Sequence, residues 1–218
     1  EEHILNIEGD GDHKWERGDA NWKEMTHLNP RANYLYRQAE DLRILRGGNA
    51  VKRADYDHST GTFTSKRRVL PKPYIVMCGL HSLYLPQMRQ VLDMKIYLDT
   101  DEELRCYWKL GRDQGDRGQE QAAIRRQIEK RRADAEKYIH PQKQYADLVI
   151  RYFDRNLKPQ EQQKEAYEAK LSVEFLMDVG INVEPVLALL EQYHIKSTLS
   201  YDGDLLHQRI LLEGADLQ

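Results

Sequence analysis

Apolar positions follow two periods along this chain, one typical of strands and one typical of helices. Short runs rich in β-branched or aromatic residues predict the strands of an α/β domain. Two of these runs, Tyr74–Met77 and Met94–Leu98, are predicted to be buried parallel strands. Two more strands are predicted at His3–Ile7 and Leu148–Tyr152.

Between these strands, apolar residues recur at helical spacing over much of the chain. The segment Ala32–Arg46 places leucines and an alanine close to one helical face, and the glycines at 47 and 48 end the helix. The same reasoning predicts three further helices, at Leu83–Leu92, Asp101–Arg112 and Gln119–Tyr138.

The pattern changes after a segment rich in Gln, Lys and Glu. A strand, a helix and two strands are then predicted at Leu171–Met177, Val183–Gln192, Ile195–Tyr201 and Gln208–Glu213. We therefore expect a main α/β domain at 1–153, a linker or connecting helix at 154–169, and a small α+β accessory unit of βαββ order at 170–218.

Charge and cysteine content restrict the class of protein. The 218 residues include 33 Lys and Arg against 36 Asp and Glu, a net charge of −3 that argues against a general nucleic-acid binder. Runs of about 18 apolar residues, which a membrane helix needs, are absent from the sequence. The two cysteines, Cys78 and Cys106, predict neither a disulfide framework nor a zinc site. The cytoplasm is the expected compartment.

Residues able to carry chemistry follow the first predicted strand. The segment Glu8–His13 contains two aspartates and a histidine, and ligands bind at the carboxyl ends of parallel strands. An ordinary polar turn is the alternative, because Gly-Asp-Gly-Asp is also good turn composition. Tyr56 and His58 lie in a predicted hairpin that either closes over a substrate or is a plain surface hairpin.

A basic helix end follows the strand at Met94–Leu98. Lys109, Arg112 and Arg117 are separated by glycines, which would let three cations close on a polyanion such as phosphate. A solvated basic helix end is the alternative, and the basic run along Gln119–Tyr138 is most simply a solvated face.

Short motifs recur along the chain in a specific order. They are Ile7-Glu8-Gly9-Asp10 with His13 and Arg17, Leu28-Asn29-Pro30-Arg31-Ala32-Asn33, Tyr56-Asp57-His58 with Gly61, Gly79-Leu80-His81, Lys109 with Arg112-Asp113 and Arg117-Gly118, and Tyr138-Ile139-His140-Pro141-Gln142-Lys143 with Ala146-Asp147. Each motif alone is weak, but their order and spacing are specific. From Ile4 to Ile150 the chain resembles the phosphoribulokinase/uridine kinase family of P-loop small-molecule kinases, which implies a parallel sheet flanked by helices.

The resemblance implies roles for residues near the first strand. Asp10 matches the catalytic carboxylate, which would accept a proton from the acceptor hydroxyl and orient it for attack. His13 and Arg17 match residues that hold a sugar-phosphate acceptor. Tyr56 and His58 lie in the loop that contacts the nucleoside in uridine kinases.

The resemblance also implies roles for residues later in the chain. Lys109, Arg112 and Arg117 match helix and lid cations that neutralise charge on the transferring phosphoryl group, and they are expected to be catalytic together with Asp10. His81, in the Gly79-Leu80-His81 motif, is a further expected substrate-binding residue.

Two departures from the family pattern concern ATP and the metal. The motif GxxxxGK[ST], which precedes the first strand in the family, is absent from these residues, so we expect a missing upstream segment and no ATP turnover by this sequence alone. Cys78 stands where the phosphoribulokinase pattern has a Glu that helps hold Mg²⁺, and a thiol is a poor ligand for this ion. Asp10 and Asp12 are the expected metal ligands. Glu8, or water and phosphate, is the alternative, and Cys78 is otherwise expected to be a small buried residue.

The sequence favours ATP-dependent phosphoryl transfer to a hydroxyl of a sugar phosphate, a nucleoside or a related polyol. ATP and Mg²⁺ are the implied cofactors, and the family implies a homo-oligomer, expected to be a dimer. Neither nucleic acid nor a membrane is an expected partner. The alternative function is a non-catalytic nucleotide- or sugar-phosphate-binding regulatory protein on the same scaffold.

Overall fold

A computed structural model describes residues 2–115, 120–158, 169–203 and 205–213. The chain divides into two compact units, one formed by residues 1–95 and 131–145, the other by residues 96–130 and 146–218. In the described ranges the strands are β1 (Ile4–Glu8), β2 (Val51–Arg53), β3 (Tyr56–Asp57), β4 (Thr62–Phe63), β5 (Arg67–Val69), β6 (Tyr74–Cys78), β7 (Ile96–Thr100), β8 (Leu148–Phe153), β9 (Ser172–Asp178), β10 (Ser197–Tyr201) and β11 (His207–Glu213). The α-helices are α1 (Ala20–Glu24), α2 (Leu35–Arg46), α3 (Pro86–Val91), α4 (Glu102–Gly115), α5 (Gln121–Asp134) and α6 (Glu184–Gln192).

A parallel strand pair positions the chemistry of the first unit. Strands β1 and β6 pair in register from Ile4 opposite Tyr74 to Glu8 opposite Cys78. Their carboxyl ends therefore lie side by side, and the loops that follow them meet at Gly9 and Gly79. A Cβ atom at Gly9 would lie 3.2 Å from the Gly79 Cα atom, which is tighter than ordinary packing.

Helix α2 supplies much of the core beneath this strand pair. Its leucines and Ala39 recur at helical spacing and are buried, as the sequence predicts. The helix ends at Gly47, whose N–H bonds to the Arg43 carbonyl. The core of the first unit consists of Ile7, Leu35, Ala39, Leu42, Leu45, Val51, Val69, Leu85 and Met88.

The second unit contains a five-stranded sheet in the order β10-β11-β9-β8-β7. Strands β7 and β8 are parallel, and the remaining pairs are antiparallel. The strands of the predicted accessory unit thus continue the β7–β8 sheet, because β9 pairs directly with β8. Val173, Val183, Ile210 and Leu212 form the buried centre of their core.

The predicted α/β class is confirmed, and the two runs predicted to be parallel strands, now β6 and β7, each pair with a parallel neighbour, β6 with β1 and β7 with β8. The expectation that β6 and β7 are buried is wrong for one face of each strand. Tyr74 is 67% exposed and Leu98 is 65% exposed, because side chains alternate between the two faces of a strand and the described residues cover one of them.

Within the described ranges, no helix has the length and apolar character that crossing a membrane requires.

Candidate active site

The turn that follows β1 carries Asp10 at the end of a parallel strand. Residues Gly9–Asp12 form one tight helical turn, and the Asp10 side chain is 34% exposed. Gly11 packs against the backbone carbonyl of Ala54 so closely that a Cβ atom would collide with it. The sequence Gly-Asp-Gly therefore lets the turn pass close to neighbouring backbone while Asp10 stays accessible.

Two histidines contact the Asp10 carboxylate. His13 Nε2 lies 3.4 Å from one carboxylate oxygen, and His58 Nε2 lies 3.1 Å from the other. The hydrogen bond with His13 lowers the pKa of Asp10, assisted by charge on the neighbouring histidines and opposed by burial. Asp10 is thus an ionised, partly accessible acceptor whose two oxygens have fixed neighbours.

Asn33 fixes the orientation of His13. Its side-chain oxygen lies 2.5 Å from His13 Nδ1, while its amide nitrogen donates to the carbonyls of His27 and Asn29 at 3.0 and 3.1 Å. Because both amide protons have carbonyl partners, the oxygen faces His13, and His13 Nδ1 donates to it. The imidazole is therefore held with its Nε2 atom towards Asp10.

Aromatic rings form a wall beside Asp10. Trp22 stacks on Tyr56 with ring centroids 5.7 Å apart and planes 13° apart, and Tyr56 meets His58 edge-on at 5.1 Å. Arg17 holds the tip of the β3–β4 hairpin, since its Nη2 atom donates to the His58 carbonyl at 2.6 Å and its side chain packs against Gly61. The hairpin is thus part of the Asp10 cluster, and its closing over a substrate stays a prediction.

Asp12 lies two residues from Asp10 in a different environment. It is 1% exposed, and its carboxylate accepts hydrogen bonds from Arg53 at 2.5 Å, Gln38 at 3.0 Å and Arg37 at 3.1 Å. Arg53 also bonds to Asp41 at 2.7 Å. Both carboxylate oxygens of Asp12 accept hydrogen bonds from nitrogen donors. Asp12 is therefore not placed to be the metal ligand that the sequence suggests.

The described residues do not form a protein-only magnesium site. Among them, no group of three or more His, Cys, Asp or Glu side chains is arranged to hold a metal ion. Cys78 is exposed, contrary to the expectation of a buried residue, and it offers sulfur where Mg²⁺ prefers oxygen. Of the two predicted ligands, Asp10 alone presents an accessible carboxylate.

His81 is buried behind the Asp10 cluster. It is 5% exposed, and its Nε2 atom donates to the Leu28 carbonyl at 3.0 Å. Burial lowers the pKa of His81 to about 4. Burial likewise lowers the pKa of His27 to about 3. Both side chains are therefore neutral near pH 7, and His81 contacts backbone in this structure.

We expect stability to fall in acid because of these histidines. In the unfolded chain His81 gains a proton below about pH 6.5, whereas in the folded chain it stays neutral down to about pH 4. The free energy of unfolding therefore decreases as the pH falls from 6.5 to 4. The His81 contribution is about 3 kcal/mol by pH 4. Denaturant unfolding at pH 7 and pH 4.5 measures it.

The matched control for this prediction is an exposed histidine of the same unit. His81→Gln should reduce the pH dependence of the free energy of unfolding to the part due to His27, whereas His140→Gln should leave it unchanged. Equal pH slopes in both variants would show that His81 is not the group responsible.

The predicted cationic clamp lies partly outside the described residues. Lys109 and Arg112 are on α4, three residues apart and so on neighbouring positions of one helix surface, in the second unit. Arg117 falls outside the described residues. Asp10, His13, Arg17, Tyr56 and His58 belong to the first unit, and the structure brings those five together. The catalytic role of the clamp stays a prediction.

Sequence reasoning did not assign roles to Trp22, His27 and Asn33. Trp22 is a large aromatic residue in an otherwise polar segment, and this contrast is the sequence feature that indicates a residue at the rim of a site. Asn33 closes the Leu28–Asn33 motif, but its bond to His13 joins residues 20 positions apart and carries no local pattern.

Comparison with known proteins places this geometry among small-molecule kinases. The model of the "Phosphoribulokinase / Uridine kinase family" matches residues 2–158. The phosphoribulokinase of Synechocystis sp. is 36% identical over 157 residues, which is 72% of this chain and 47% of that protein. The chloroplastic phosphoribulokinase of Triticum aestivum is 34% identical over 199 residues, which is 88% of this chain and 48% of that protein. The uridine kinase of Staphylococcus haemolyticus is 34% identical over 113 residues, which is 51% of this chain and 55% of that protein.

A solved structure supports the same fold. The phosphoribulokinase from Rhodobacter spheroides superposes with a TM-score of 0.77 at 20% identity, covering 98% of this chain and 81% of that chain. The chain spans about half the length of the curated relatives it matches.

Proposed function

The chain belongs to the phosphoribulokinase/uridine kinase family, and on that premise we propose that it forms the acceptor-binding body of a kinase. The reaction is phosphoryl transfer from ATP to a hydroxyl group of a small acceptor. The family assignment made from the motifs is confirmed by the family match, and the α/β kinase fold by the solved phosphoribulokinase.

The placement of Asp10 carries this proposal. A general base must be ionised, accessible and held in a fixed direction, and Asp10 is 34% exposed with a histidine at each oxygen. In our proposal Asp10 accepts the hydroxyl proton and aligns the oxygen with the phosphorus. Because the transition state of phosphoryl transfer is loose, such positioning supplies much of the catalysis.

The residues around Asp10 support an acceptor that carries an anionic group. Two imidazoles contact the single Asp10 carboxylate, and the Arg17 guanidinium adds a fixed positive charge beside His58, so the cluster is favourable for an anion. We therefore propose a sugar phosphate as the acceptor. A nucleoside, which the Trp22–Tyr56 wall could contact, is the competing outcome of the test below.

Further parts of the proposal rest on the family and the sequence. ATP is the phosphoryl donor, and Mg²⁺, held chiefly by ATP phosphates and water, would neutralise charge on those phosphates. Lys109, Arg112 and Arg117 are proposed to contact the transferring group. A cytoplasmic location and a dimer stay predictions, as does the division at 153–170.

An ATP-consumption screen tests the proposed function. The longest protein that the gene encodes would be assayed with Mg²⁺ and ATP against ribulose 5-phosphate, uridine, cytidine, glycerate and several sugars and sugar phosphates. We expect ADP release that depends on a sugar phosphate. ADP release that occurs only with a nucleoside would show that the acceptor is a nucleoside and not a sugar phosphate. Failure to bind ATP would favour the non-catalytic regulatory protein.

A further inference from the structure

A cavity in the first unit adjoins the catalytic turn: Gly11, Asp12 and His13 line it, whereas Asp10 does not. Its volume is about 290 Å³, and its wall is built from the end of the turn, from α2, from β2 and from the segment around β4. The cationic residues that line this cavity, called the cationic cavity below, are Lys14, Arg37, Lys52, Arg53 and Lys66.

The lining has an excess of positive charge. Two carboxylates, Asp12 and Asp41, face these five cations, and both are already bonded to arginine: Asp12 to Arg37 and Arg53, and Asp41 to Arg53. In the part of the chain that the structure describes, none of the three lysines has a carboxylate within 4.0 Å. The lysines are therefore available to a bound anion.

A tyrosine ring holds two of the cations at the wall. The Lys14 ammonium lies 5.5 Å from the centroid of the Tyr34 ring, and the Arg37 guanidinium carbon lies 4.4 Å from it. A ring contact restrains a flexible side chain without occupying its N–H donors, although Arg37 also donates from Nε and Nη2 to Asp12. Arg37 is 42% exposed, so part of its guanidinium is open to solvent beside the cavity.

We propose that the cationic cavity binds the phosphate group of a small metabolite, at a site next to the acceptor site that shares His13 with it. Three unmatched lysines and a restrained arginine suit a dianion better than a single carboxylate. A cavity of about 290 Å³ is at the small end for ligand sites and has no room for a polymer. The site goes beyond the proposed kinase activity and does not depend on it.

Asp12 connects this cavity to the catalytic turn. Its carboxylate holds Arg37 and Arg53 at the cavity wall, and its carbonyl accepts a hydrogen bond from the Tyr34 N–H at 2.8 Å. An anion that attracts Arg37 competes with Asp12 for the same guanidinium. Asp12, two residues from Asp10, is thus common to the cavity wall and to the turn that carries the proposed base.

Calorimetric titration of the 218-residue chain with inorganic phosphate and with pyrophosphate, at constant ionic strength and without ATP, tests the proposal. Lys52→Gln/Lys66→Gln removes two exposed lysines of the lining that have no part in the Asp12 network. Loss of charge-assisted hydrogen bonds should weaken binding roughly tenfold or more. The matched control, Lys170→Gln/Lys196→Gln, removes the same charge from exposed positions of the second unit and should change affinity less than about twofold.

Arg17→Gln separates the cavity from the acceptor site. We expect this variant to bind phosphate with nearly unchanged affinity, because Arg17 does not line the cationic cavity. The proposal is overturned if neither anion binds, if the two double variants lose affinity equally, or if Arg17→Gln abolishes binding while Lys52→Gln/Lys66→Gln does not. Each of these readouts is independent of kinase turnover.

Discussion

Asp10→Asn should lower kcat for phosphoryl transfer by about 10²–10⁴-fold, the usual contribution of a general base. The amide keeps the shape of the side chain and can still contact His13 and His58, but it cannot accept the hydroxyl proton. ATP affinity should change little, because the substitution acts on the acceptor side. Steady-state turnover and equilibrium ATP binding, both on the longest protein that the gene encodes, measure the two effects.

The control for this experiment is an aspartate of the same unit that lies on the surface. Asp93→Asn affects an 84% exposed carboxylate paired with Arg46, and turnover should be close to that of the unsubstituted protein. Turnover by Asp10→Asn within a factor of a few of the control would refute the assignment of Asp10 as the base.

Asp12→Ala should lower the free energy of unfolding by about 3–5 kcal/mol, because it leaves the buried Arg53 guanidinium without one of its two carboxylates. The exposed pair formed by Arg46 and Asp93 provides the comparison, since Asp93→Ala should cost less than about 1 kcal/mol. Urea unfolding at pH 7 measures both values. The same experiment separates a structural role from a metal-binding one.

A double substitution distinguishes the two roles of Asp12 further. If the ion pair is the cause, Asp12→Ala/Arg53→Met should be less destabilised than the sum of the single variants, because both members of the Asp12–Arg53 pair are removed together, even though Asp41 then loses its contact with Arg53. A metal ligand would behave differently: Asp12→Ala would keep its stability and require more Mg²⁺ for activity. Wild-type stability in Asp12→Ala would contradict the network described above.

The contrast between Asp10 and Asp12 shows what the sequence could predict. The periodicity of β1 and the turn composition after it place two aspartates at a strand end, and the motif order suggests Asp10 as the base. Nothing local distinguishes the two side chains. Asp12 is buried because Arg37 and Arg53, 25 and 41 residues away, converge on it, and such partners follow from tertiary packing alone.

The positions of helices and strands were predicted more accurately than the exposure and contacts of their side chains. Helix α2 and the positions of β1 and β6 follow from apolar spacing, which is a local property, whereas the pairing of these two strands joins segments about 70 residues apart. The exposure of Cys78 was not predicted, since it depends on which face of β6 is covered. The Trp22–Tyr56 stack and the Asn33–His13 bond likewise join distant segments, so the aromatic wall could be anticipated only as a site rim.

The exposed face of β6 has a consequence for solubility. Tyr74 and Val76 are 67% and 44% exposed, and within the described residues β6 pairs with β1 alone. A strand with an unpaired edge and apolar, β-prone side chains is a template on which a second chain can align. Handled as these 218 residues at high concentration, the protein would precipitate or form oligomers through this strand, and a charged residue in place of Val76 would suppress that association.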